Sequence, residues 1–137
     1  MTNASEEYGR SAVRTDRILA AAVSAAAFLV YTLTLAPTVS FWDSGEYITC
    51  AWVAGIPHPP GVPFFVLTGR FATLLFSFIP EVAARVNLMC ALAGSAAVGI
   101  LSRLLQRWCR RMNYGPGFYR PVALAGIMGG LNSEVKD

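Results

Sequence analysis

Four side chains have the chemistry to act on a substrate: Asp43 and Glu46 in "DSGE", His58 in "IPHPPG" and Arg70 in "VLTGRFA". Two carboxylates three positions apart share a face where a helix begins at them, and a carboxylate beside apolar groups has its pKa raised toward the range a general base needs. The aromatic residues Phe41, Trp42, Tyr47 and Trp52 are such neighbours. His58, the one histidine of the chain, can donate or accept near neutral pH. Arg70 is a natural partner for phosphate. One histidine with two carboxylates at this spacing matches no zinc motif, and two carboxylates alone make a poor hard-cation site. No metal or cofactor is therefore expected.

Each of these residues also has a plainer reading. Asp43 suits the N-cap of a helix over "GEYITCAWVAG", ending near Gly55, with Glu46 reaching back in the manner of a capping box. The two roles are compatible, because a base fixed at a helix start is well oriented. "IPHPPG" has no helical option, since each residue before a proline is driven to extended geometry. It is a stiff connector that either holds His58 in place for a ligand or merely turns the chain. Arg70 and Arg85 read equally as anchors at a membrane surface.

The surroundings of these residues are greasy. Of 137 residues, 55% are hydrophobic and 14% charged, against about 45–50% and about 25% in soluble domains, so a lipid environment is indicated. "ILAAAVSAAAFLVYTLTLA" (18–36) carries no charge. At roughly 28 Å as a helix it matches the hydrocarbon core, it is too long for a signal-peptide core, and Pro37 ends it. A second charge-free run, "VNLMCALAGSAAVGILS", begins at Val86. Leu104 and Leu105 extend it to a span over 86–105, whose small residues suit close helix packing. Between the two, "VPFFVLTGRFATLLFSFIP" (62–80) is apolar with Arg70 at its middle. Because an arginine at mid-span is costly, it reads as an interfacial or re-entrant helix rather than a third crossing. Residues 1–17 read as a disordered or interfacial arm and 106–120 as a basic segment. The run that begins at Pro121 is too short to cross as a helix before the chain reaches Asp137, and reads as a partial third apolar segment (121–137).

Ten of the eleven basic residues are arginine, and they cluster outside the two charge-free runs: Arg10, Arg14 and Arg17 before the first, Arg103, Arg107, Arg110, Arg111 and Arg120 after the second. The positive-inside rule then places both ends in the cytoplasm and the loop 37–85 in a periplasm or endoplasmic reticulum lumen. A net charge of +3 without any RNA-binding or zinc-finger signature gives no nucleic-acid partner. Three cysteines without a close pair give neither a disulfide framework nor a CxxC motif.

"DSGE", "HPPG" and "RVNLMCAL", in this order within Tyr31–Leu101, make the chain resemble the start of the transmembrane protein 260 family, found in eukaryotes and bacteria. That family is similar to the GT-C superfamily of polytopic membrane glycosyltransferases, and its eukaryotic members are implicated in protein O-mannosylation. The resemblance implies an all-α membrane protein: the N-terminal piece of a GT-C-like helical bundle, moving a mannose-like sugar from a polyprenyl-phosphate carrier to a Ser/Thr hydroxyl of a protein. It places Asp43 at the acidic position of the first non-cytoplasmic loop, as general base, with Glu46 positioning the acceptor or Asp43. His58 and Arg70 follow as sugar- or phosphate-contacting groups from their chemistry alone. Such enzymes have many more spans, so the donor groove and much of the acceptor site are expected outside these residues, with the chain a fragment or truncated gene product.

A rival of another class is a small non-catalytic membrane protein that packs on other membrane helices through the face of Ala91, Ser95 and Gly99. It has no need of the Asp43 carboxylate. A transporter would want ionisable residues within the spans, and neither charge-free run has one.

Overall fold

The computed structural model describes residues 2–40, 42–59, 61–112, 114, 115, 117, 118, 120 and 121, and for residues 2–9 the backbone only. The described residues hold helices and no strand: α1 (Thr2–Leu33), α2 (Ser44–Val53), α3 (Pro63–Leu75) and α4 (Val82–Arg111). The all-α expectation is met. Apart from Pro121, the expected third apolar segment lies outside the described residues.

Two stretches, Arg10–Leu33 and Val82–Arg111, of 24 and 30 residues, are long and apolar enough to cross a membrane. At 1.5 Å per residue they measure about 36 and about 45 Å, against about 30 Å of hydrocarbon. α3, with 13 residues, reaches only about 20 Å, shorter than the apolar run 62–80 in which it lies.

The chain divides into two compact units, one of residues 1–29 and 94–137, the other of residues 30–93. In the first, α1 and α4 pack through small residues. Gly99 lies so close to α1 that a Cβ built on it would stand 2.9 Å from Cβ of Ser24, and Ser24 Oγ donates to the carbonyl of Ser95 at 2.8 Å. Ala20 and Ala27 are buried with Ser95. At Ser95 and Gly99 the small-residue face thus packs on α1 within this chain. Farther along, Asp16 is fully buried and paired with Arg110 and Arg120.

Residues 2–17 continue α1 rather than forming a disordered arm, and at Asp16 the buried ion pair ties that part of the helix to Arg110 and Arg120. At the other end α1 stops at Leu33, three residues short of the expected 36. Pro37 disfavours helical geometry at Ala36, and Thr34 Oγ1 turns back to the carbonyl of Val30 at 2.9 Å.

In the second unit α2 and α3 pack on each other and on the start of α4 around Ile48, Ala51, Ala83 and Val86, with Phe65, Val82 and Met89 against them. Gly69 permits the approach: a Cβ there would lie 2.7 Å from Cβ of Ala51. Asn87 Nδ2 donates to the carbonyls of Ala36 and Thr38 at 2.9 and 3.4 Å, which ties the connector after α1 to α4.

Candidate active site

α2 begins where the sequence reading placed it, with Asp43 at the N-cap, and closes on Ala54 in the left-handed conformation (φ 55°). The capping box does not form. Asp43 has helical φ and ψ of −73° and −4°, and its carboxylate makes no capping hydrogen bond. Only its backbone carbonyl takes part, accepting the Tyr47 N–H at 3.1 Å. The side chain is exposed at the start of the helix.

Glu46 faces the other way. Its Oε1 accepts the backbone N–H of His58 at 2.6 Å, and its Oε2 lies 2.8 Å from His58 Nδ1. One carboxylate thus engages both the main chain and the ring of the connector. With Nδ1 donating to it, the neutral imidazole keeps Nε2 as an acceptor. The pairing lowers the Glu46 carboxyl below its ordinary value, first through the ring hydrogen bond and then through the backbone one. It raises His58 through the same bond and the Glu46 charge, with a smaller push from Asp43. The upward shift expected for a carboxylate among aromatic neighbours is therefore not what Glu46 undergoes. Trp42 is 94% exposed and shields nothing, and a cationic partner outweighs what desolvation remains.

Tyr47 completes the setting of His58, with the two rings edge-on at 5.8 Å, and meets Phe65 of α3 in the same manner at 5.6 Å. Beside them lies a cleft of about 320 Å³ whose lining includes Ser44, Tyr47, Val62, Phe65, Asn87 and Cys90, mostly apolar and next to the Asp43 end of α2.

Arg70 stands apart. Its guanidinium donates to the carbonyl of Trp52 and lies 5.5 Å from that indole ring. It serves an unpaired carbonyl in the last turn of α2, about 9 Å of helix rise beyond Glu46. Arg85 does the same for α3. It reaches the carbonyls of Ile79 (2.7 Å), Thr73 (3.0 Å), Ser77 (3.3 Å) and Pro80 (3.4 Å). Arg85 is thus the clamp of a helix end and its following turn.

The structure therefore brings Asp43, Glu46 and His58 to one end of α2 and sends Arg70 to the other. Among the described residues no three His, Cys, Asp or Glu side chains gather as a metal-ligating set. Asn87, not singled out from the sequence, and Tyr47, noted there only as an aromatic neighbour of the carboxylates, both line the cleft. Asn87 sits inside "RVNLMCAL", a motif noted above for its order and not for any role of its residues.

The family profile described as the Protein O-mannosyl-transferase TMEM260 N-terminal domain matches residues 43–134, beginning at Asp43. The chain is 46% identical over 80 residues to the Protein O-mannosyl-transferase TMEM260 of Mus musculus, covering 58% of this chain and 11% of the relative. It is 37% identical over 70 residues to the Protein O-mannosyl-transferase tmem260 of Dictyostelium discoideum, covering 50% of this chain and 8% of the relative. The matched stretches are thus about a tenth of the length of these relatives. No solved structure matches the chain.

Proposed function

This chain belongs to the family of protein O-mannosyl-transferase TMEM260 N-terminal domains, and we propose that it supplies the acceptor-activating end of a membrane O-mannosyltransferase. The donor in this reading is a mannose-like sugar on a polyprenyl phosphate, the acceptor a Ser or Thr hydroxyl of a protein, and the architecture that of the GT-C enzymes. The observation that carries it is the Asp43 carboxylate: exposed at the start of α2, making no capping bond, and next to the apolar cleft.

Asp43 is the general base. It takes the proton of the acceptor hydroxyl as the oxygen bonds to the anomeric carbon. The bond from that carbon to the phosphate oxygen breaks on the opposite face, with inversion, and the electron pair leaves on the polyprenyl phosphate. Glu46 is a positioning residue. Through its two bonds to His58 it fixes the connector beside the base. His58 Nε2 contacts the sugar or the phosphate, and it donates to phosphate oxygens when the ring is protonated. Arg70, engaged with Trp52, has a structural part.

The arginine distribution supports a multi-pass topology in which residues 37–85 lie on the non-cytoplasmic side, with α3 at the interface or re-entrant. A base of this kind contributes about 10²–10⁴ in rate. In a mannosyl-transfer assay on membranes holding an active chain that carries this segment, Asp43→Asn should reduce turnover by about 10² or more without loss of membrane insertion. Unchanged turnover overturns the assignment of the base.

A further inference from the structure

The strongest concentration of charge in the molecule is not at this site. In the unit of residues 1–29 and 94–137, a cavity of about 740 Å³ is walled by Arg17 of α1 and by Arg103, Arg107, Arg110 and Arg111 of α4, with Trp108 among them. The α4 arginines recur at intervals of four and three or four, which sets them along one stripe of the helix. Across residues 10–29 and 94–121 there are eight arginines and a single acidic residue, Asp16. That one carboxylate is buried and spent on fixing Arg110 and Arg120. Arg110 of the wall is therefore held in place, and the wall as a whole is strongly positive.

Arginines after an apolar span are ordinarily solvated anchors that set topology. Two features here go further. The five arginines line one shared, open cavity. The cavity also adjoins a second groove of about 390 Å³, with which it shares Arg103, Leu104 and Arg107, and which runs on along Ala20, Ala21, Ala96, Gly99 and Ile100. A cationic recess thus adjoins a largely apolar groove lined by the two helices long enough to cross a membrane. Leu104 and Trp108, 56% and 66% exposed, stand where the two environments meet.

We propose that the arginine cavity and its adjoining groove bind an anionic glycerophospholipid, with the phosphate among the guanidiniums and part of an acyl chain along the small-residue groove. Guanidinium pairs with phosphate oxygens bidentately, and a basic recess between spanning helices is suited to lipid headgroups. A free phosphate would use the recess and ignore the groove; a lipid uses both.

The test is native mass spectrometry of the full 137-residue chain, in mild detergent, titrated with phosphatidylglycerol or with phosphatidylcholine of the same acyl chains. Phosphatidylglycerol should bind at least about tenfold more tightly. The double variant Arg107→Gln/Arg111→Gln should lose that preference, while Arg14→Gln, outside the cavity wall, should keep it. Circular dichroism reports whether the double variant retains its helices. Should it not, the wild-type comparison stands alone as the deciding result. Equal affinity for the two lipids overturns the proposal. So does retention of the preference in a helical double variant. Displacement of the lipid by millimolar inorganic phosphate assigns the recess to a free anion, and preferential displacement by polyprenyl phosphate assigns it to a sugar carrier; either result overturns the glycerophospholipid.

Discussion

Glu46 holds His58 by two bonds at once, Oε1 on the backbone N–H at 2.6 Å and Oε2 on Nδ1 at 2.8 Å. A side chain on α2 thereby fixes the conformation of a proline-rich connector twelve residues farther along. The relationship binds the two polar motifs of this region, "DSGE" and "HPPG", into one structural feature.

It also sets a pH window. His58 is raised from 6.5, so its share of the pairing is complete below that value and is lost as pH rises through its elevated pKa. Glu46 is lowered from 4.5, so its share is complete above that value and is lost as pH falls through its depressed pKa. The connector is thus held best between about pH 4.5 and 6.5. Since the chain has one histidine, imidazole NMR follows it without ambiguity. The midpoint should lie above 6.5 in the wild type and move down in Glu46→Gln; an identical midpoint in both would show that the pair does not persist in solution.

Gly69 is where α2 and α3 come closest. Alanine there gains up to about 1 kcal/mol of helix propensity, but its Cβ would sit 2.7 Å from Cβ of Ala51, which is fully buried and cannot yield. Overpacking of this kind costs about 1–3 kcal/mol. The prediction is a net loss of stability for Gly69→Ala, read as a lower thermal midpoint in detergent. Adding Ala51→Gly should recover most of it, because the two sites share the contact. Additive losses in the double variant would contradict this account.

Much of this was legible in the sequence. The spans announce themselves by length and lack of charge, Pro37 and Pro80 bound the region between them, and the start of α2 follows from "FWDSGE". What the sequence reading misplaced were interactions over long separations. Asp16 is an unremarkable acid in a polar arm until it meets Arg110, 94 residues away, and the arm itself continues α1. Local spacing pairs Asp43 with Glu46, whereas the fold pairs Glu46 with His58. Arg70 and Arg85 carry the right charge for phosphate, yet both are drawn to carbonyls at helix ends, a demand that helix termini always make and that composition does not reveal.

Arg85 offers a direct measure of that demand. Its contacts with Thr73, Ser77, Ile79 and Pro80 are charge-assisted hydrogen bonds, worth about 1.5–3 kcal/mol for a charged donor. Arg85→Ala should therefore open the end of α3, accelerating amide hydrogen exchange at residues 74–79 by roughly tenfold to a hundredfold, with a smaller change in α2, where the guanidinium lies 5.8 Å from the Trp52 ring. Arg85→Lys should restore only part of the protection, since an ammonium cannot fan across four carbonyls as a guanidinium does. Uniform acceleration through α2 and α3 alike would instead make Arg85 a support of the whole unit.

The topology is open to test by the cysteines. Cys50 lies in α2 and Cys109 in the last turn of α4, both partly accessible. With Cys90 replaced by serine to silence the thiol within the span, each of the remaining two reports on one side. If the loop 37–85 is non-cytoplasmic, a membrane-impermeant maleimide added to sealed, right-side-out vesicles should label Cys50, and Cys109 should react only after the vesicles are opened. Arginine-rich flanks govern this outcome because moving them across a bilayer is unfavourable. The reverse pattern would place Asp43 on the cytoplasmic face and break the link between the acidic site and a non-cytoplasmic acceptor. Labelling of both thiols from outside would mean that α4 does not cross.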